Sequence, residues 1–127
     1  MKWMMIALGG AIGTVGRYFI SGLDYRWSNG VFPVSTLLIN LLGSLAIGFF
    51  WGLFERSAVS PDTRLFVMVG ILGGFTTFST FSLENFNLIR DGELKIALWN
   101  IGLSNVIGIT LVFVGFAGAR ALNRWFE

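Results

Sequence analysis

The sequence contains no cysteine and no histidine in its 127 residues. Without cysteine there is no disulfide framework and no thiolate metal site. Without histidine the commonest general base and metal ligand is missing, so an enzyme remains possible but would lack the usual parts. Charge is also scarce: only 13% of residues are Asp, Glu, Lys or Arg, against 54% hydrophobic, with thirteen Phe, five Trp and seventeen Gly. With a mean hydropathy of +0.73, the chain is matched to lipid, because so few charged side chains cannot coat a soluble domain of this size. A lipid bilayer is the expected surrounding, and no nucleic-acid partner is expected.

The apolar runs divide the chain into four spans of a single membrane domain, residues 1–127, with no room for a separate soluble unit. The runs fall at about 3–23, 34–54, 65–89 and 96–122, each long enough to cross a hydrocarbon core of roughly 30 Å. The first is read as a retained helix rather than a cleavable leader, since further spans follow it. Gly9, Gly13 and Gly16 lie near one of its faces, and Gly43, Ser44, Gly48 and Gly52 continue a similar small-residue face on the second span. Such faces let helices approach closely in lipid. Ser60-Pro61-Asp62 is a helix start for the third span, Asp91-Gly92 is a turn, and Arg120, Arg124 and Trp125 anchor the last span at the interface.

Polar side chains inside these spans are few. Arg17 either faces a water-filled vestibule or snorkels from near a helix end. Asn40, among leucines and isoleucine, needs partners either on a neighbouring helix or in a pore. Cationic residues divide weakly by side, with Lys2, Arg56, Arg64, Arg120 and Arg124 facing Arg26, Arg90 and Lys95, and Arg17 if it reaches that surface. So slight a bias permits either a single orientation or insertion both ways, and two opposed copies could pair about a two-fold axis in the membrane plane.

The third span carries the densest signal, Gly73-Gly74-Phe75-Thr76-Thr77-Phe78-Ser79-Thr80-Phe81-Ser82. Two glycines interrupt the helix near residues 73–76, and backbone groups freed there are tolerated only in protein or beside a wet cavity. Their carbonyls suit a monovalent cation such as sodium, unless the glycines serve only as a packing kink. Beyond them, Phe78 and Phe81 share a face extended by Ser82 and Asn85, while Thr77, Thr80 and Glu84 share the next. Phenyl edges are electropositive, so rings beside hydroxyl and amide donors form a lane for a small anion; the alternative is packing rings and hydroxyls bonded to their own helix.

At these residues the sequence resembles the Fluc fluoride channels, also called CrcB proteins. The third-span run matches that family's signature nearly letter for letter, with Glu84 following, and Asn40 and Arg17 resemble its second-helix asparagine and first-helix arginine. The resemblance implies an all-α membrane protein: an antiparallel, dual-topology homodimer with two pores that conducts fluoride passively, excludes chloride and protects against fluoride toxicity. It implies that Phe78, Phe81, Asn40, Thr80 and Ser104 form the fluoride path, with Arg17 at the vestibule and Glu84 included among the pathway residues. A structural sodium ion (Na+) would be held at the dimer centre by backbone carbonyls of Gly73 and Thr76 from both subunits. The implied location is the inner (plasma) membrane, spanned several times. The fourth-helix polar track departs from the family: Asn100 and Ser104 share a face, but Gly108 has no side chain, and Asn105 or Thr110 could compensate only from other faces.

Two rival functions are a proton-coupled exporter using Glu84, the one acid placed within a span, and a membrane scaffold in which the glycine faces only mediate packing.

Overall fold

A computed structural model describes residues 1–125 of the chain. All regular elements among them are helical, and four helical stretches are long and apolar enough to cross a membrane: Lys2–Ile20, Val34–Arg56, Pro61–Arg90 and Leu94–Trp125.

The first of these is α1, Lys2–Ile20. It ends where the Ser21 N–H donates to the carbonyls of both Arg17 and Tyr18, so the helix stops short of residue 23, the expected end of the span. A short helix follows, α2 (Leu23–Trp27), and its Asp24 Oδ1 accepts the Ser35 N–H at 2.6 Å. That carboxylate satisfies one of the donors left free at a helix N-terminus, and it pins α2 to the start of the second span, α3 (Val34–Arg56).

The third span is composite. Ser60 caps α4 (Pro61–Arg64), its hydroxyl accepting the Thr63 N–H with Pro61 in the first turn. A π-helical stretch, Leu65–Ile71, leads into α5 (Leu72–Phe75). Helical geometry resumes in α6 (Phe78–Arg90), and a turn through Gly92, whose φ of 85° favours glycine, leads to α7 (Leu94–Trp125).

Glycines set the packing. A Cβ on Gly48 would stand 2.1 Å from the Val112 carbonyl oxygen, and one on Gly115 would stand 2.2 Å from that of Leu45, so α3 and α7 meet backbone to backbone. Likewise a Cβ on Gly13 would stand 2.0 Å from the Ile71 carbonyl oxygen, and one on Gly9 would stand 2.5 Å from that of Phe66. Thus α1 packs on the first half of the third span, while α6 packs on α7 and α3. Dispersion between close backbones replaces the hydrophobic drive, which is lost in lipid. Many large apolar side chains point outward, including Trp3, Phe19, Trp51, Val106 and Phe113. The largest side chains sealed completely inside are Ile39 and Asn100.

Candidate ion pathway

Between α5 and α6 the chain is extended at Thr76 (φ −77°, ψ 157°) and Thr77 (φ −149°, ψ 114°). Gly73 and Gly74 themselves lie within α5, so the glycines are helical and the extended residues are the two threonines. The reason is local. Thr77 caps α6, its hydroxyl accepting the Thr80 N–H at 3.3 Å and donating to the Thr80 hydroxyl at 2.9 Å. An N-cap takes extended rather than helical angles, so helix α5 cannot run on through it.

Asn40 closes this joint from the second span. Its Oδ1 accepts the Thr77 N–H at 2.9 Å and its Nδ2 donates to the Thr77 carbonyl at 3.0 Å. One side-chain amide therefore engages both backbone groups of one residue, as a neighbouring strand would. Because the Thr77 N–H is held by Asn40, the Gly73 carbonyl loses its donor four residues on. One N–H of the Asn40 amide remains beyond the Thr77 bond.

Around the joint opens a cleft of about 370 Å³. Its lining includes Asn40 and Ser44 from α3, Gly73 and Thr76 from the joint, the Phe78 and Phe81 rings from α6, and Ser104 from α7. The two rings stand 5.7 Å apart between centroids and 38° from parallel. Phe78 is 78% exposed in the single chain, so this wall of the cleft is open.

Arg17, Thr80 and Glu84 lie elsewhere. With Asp24, Ser35 and Thr36 they line a second cavity of about 360 Å³, and Thr77 borders both spaces. Glu84 Oε1 accepts the Thr36 hydroxyl at 2.6 Å. The nine residues singled out in the sequence for anion and cation therefore fall into two groups. Asn40, Gly73, Thr76, Phe78, Phe81 and Ser104 share the cleft, and Arg17, Thr80 and Glu84 share the cavity behind it.

The fourth-helix residues sort differently from their spacing. Ser104 reaches the cleft, whereas Asn100 has no exposed surface and bonds inward to Asn85. Asn105 also lines the cleft, but its amide, like the Thr110 hydroxyl, bonds back to its own helix, at the carbonyls of Ile101 and Val106 respectively, as Ser82 does to Phe78. At Gly108 the space is met from α3: the Ser44 hydroxyl oxygen lies 3.4 Å from where a Cβ would stand. Ser44, one turn beyond Asn40, read from sequence only as a small packing residue. The four-residue spacing from Asn40 was the available sign that it faces the same way. Thr77 as a cap was legible in the same manner, being a threonine placed directly before an apolar helical run.

Four apolar helices, few charges and a cleft combining paired rings with hydroxyl and amide groups define a small multi-pass membrane protein with a site suited to a compact ion. A family model described as CrcB-like protein, Camphor Resistance (CrcB), matches residues 4–116, and the chain belongs to that family. Relatives named fluoride-specific ion channel FluC are similar over nearly their whole length. One from Methylocella silvestris is 43% identical over 127 residues, covering 98% of this chain and 97% of the relative. One from Geobacter sp. strain M21 is 48% identical over 118 residues, covering 92% and 95%. One from Aquifex aeolicus is 45% identical over 119 residues, again covering 92% and 95%.

Proposed function

We propose that this protein is a fluoride-selective ion channel, not an enzyme, which lets fluoride leave the cell passively and so protects against fluoride toxicity. The observation that carries the reading is the open cleft in which Phe78 and Phe81 stand beside Asn40 and Ser104, in a chain whose full-length relatives bear the name of fluoride channels. Ring edges and neutral donors attract an anion without adding fixed charge. Hydroxyl and amide N–H groups can replace the tightly held water of a small anion, and a passage narrowed by the rings once a second copy covers the cleft would oppose a larger one. The exporter and scaffold readings find no support in the family or in the names of the relatives.

The working unit is a homodimer of oppositely inserted copies in the inner membrane. Supporting this, the cleft residues Phe78 and Gly73 are exposed in the single chain, and the backbone and hydroxyl groups of that cleft are better covered by protein than by hydrocarbon. A second copy laid on this face would close the cleft into a passage. The Gly73 and Thr76 carbonyls of both copies would then converge on one sodium ion, for which a neutral oxygen cage is suited. Fluoride, trapped after hydrogen fluoride dissociates in the cytoplasm, is driven outward by the membrane potential at about 2.3 kcal/mol per 100 mV.

Efflux from liposomes holding the purified protein, followed with fluoride and chloride electrodes in parallel, tests the reading. Rapid fluoride release without chloride, weakened by Phe81→Ile, is expected. Silence from liposomes with verified incorporation would overturn it.

A further inference from the structure

Behind the cleft lies a row of hydrogen bonds that the pathway itself does not use. Asn100 is 0% exposed and Asn85 is 5% exposed in the single chain, so neither depends on a partner copy for its burial. Asn100 Nδ2 donates to Asn85 Oδ1 at 3.1 Å, and Asn85 Nδ2 donates to the Phe81 carbonyl at 2.8 Å. At the other end the Ser104 hydroxyl donates to Asn100 Oδ1 at a long 3.5 Å. The bonds run in one sense, from Ser104 on α7 through two amides to the backbone of Phe81 on α6. Both ends line the cleft, and neither amide does.

We propose that Asn85 and Asn100 are positioning residues for anion selection, acting as a buried amide relay that fixes the α6 backbone carrying Phe81 relative to the α7 backbone carrying Ser104. The inference rests on the fluoride-channel reading and deepens it. Two buried amides bonded to each other have a single low-energy arrangement, because each unmade bond there is costly. Apolar packing alone would let α6 rotate or slide against α7 by fractions of an ångström without losing a specific contact. A gap that must admit one small anion and refuse a larger one cannot tolerate that slack. The relay also leaves Ser104 weakly held. A 3.5 Å bond is at the limit of hydrogen bonding, so the hydroxyl proton is available to an anion in the cleft, which offers a stronger, charge-assisted bond.

A merely structural pair predicts something different. Replacing both partners of a buried hydrogen bond by apolar groups of similar shape is often close to neutral for stability. Asn85→Leu/Asn100→Leu should therefore assemble, and the measurement is the ratio of fluoride to chloride release from liposomes, with the wild type alongside. The ratio is expected to fall at least tenfold as chloride release rises. Asn85→Ala, which leaves Asn100 its bond to Ser104, should shift the ratio the same way by a smaller factor. An unchanged ratio in assembled protein would overturn the proposal. So would loss of assembly in both variants, which would make the pair a folding element. Absence of selective fluoride release in the wild type would instead overturn the channel reading.

Discussion

Substituting Asn40 by leucine removes two hydrogen bonds at once and leaves the N–H and the carbonyl of Thr77 without their partner. Thr77 is only 7% exposed, so neither group finds bulk water, although the neighbouring cleft can admit some. An orphaned buried polar group costs about 1–3 kcal/mol, which sets the loss for Asn40→Leu at roughly 2–6 kcal/mol. Single interhelical side-chain bonds in membrane proteins average only about 0.6 kcal/mol, so a large effect here would come from stranding backbone rather than from losing a side-chain contact. Ser44→Ala is the control, since it alters the same cleft from the same helix and leaves Thr77 satisfied. The assay is unfolding in mixed micelles, followed by tryptophan fluorescence, together with fluoride release from liposomes. Asn40→Leu should unfold much earlier than Ser44→Ala and pass little fluoride. Equal stability of the two variants would refute the view that Asn40 holds the joint.

Two further substitutions separate packing from ion binding. Gly13→Ala places a methyl group against the Ile71 carbonyl and should destabilise the chain by about 1–3 kcal/mol, read as a lowered unfolding midpoint. Gly73→Ala meets nothing within 4 Å in the single chain, so it should leave secondary structure and monomer folding intact. Its effect should appear as a greater loss of dimer on gel filtration when sodium is exchanged for a bulky organic cation, and indifference to sodium in both proteins would sink the proposed cation site. Glu84→Gln keeps an oxygen able to accept from Thr36, so fluoride release should persist, altered by less than tenfold. Complete loss would return the proton-coupled reading to consideration.

The four long apolar helices were legible because a run of about twenty apolar residues spans the hydrocarbon core of a bilayer, and charge bounds each run in a chain otherwise poor in it. The close approaches of Gly9, Gly13 and Gly48 followed from small residues repeating along helix faces. The π-helical stretch at Leu65–Ile71 had no such sign, since its residues differ little from an ordinary membrane helix. Nor did the sequence reveal the partners of its buried amides. Asn40 meets Thr77, 37 residues away, and spacing along the chain carries no information about contacts between helices. Asn100 shares a helix face with Ser104, yet a helix face is broad enough for one residue to reach the cleft while the other turns inward. Thr80 and Glu84 were placed correctly on one face of α6, and that face proved to look into the second cavity together with Arg17.

The third span belongs to two bodies. Its first half is joined to α1 by backbone contact through glycine, and its second half is tied to α3 and α7 by side-chain bonds: Thr36 to Glu84, Asn40 to Thr77, and Asn100 to Asn85. Thr76 and Thr77 are thus the seam of the molecule as well as an interruption of a helix. The Asn40 amide, bonded to both backbone groups of Thr77, fixes how the two bodies meet. Gly73 on one side of the seam and the Phe78 and Phe81 rings on the other therefore face one cleft across a joint set by a single side chain of α3.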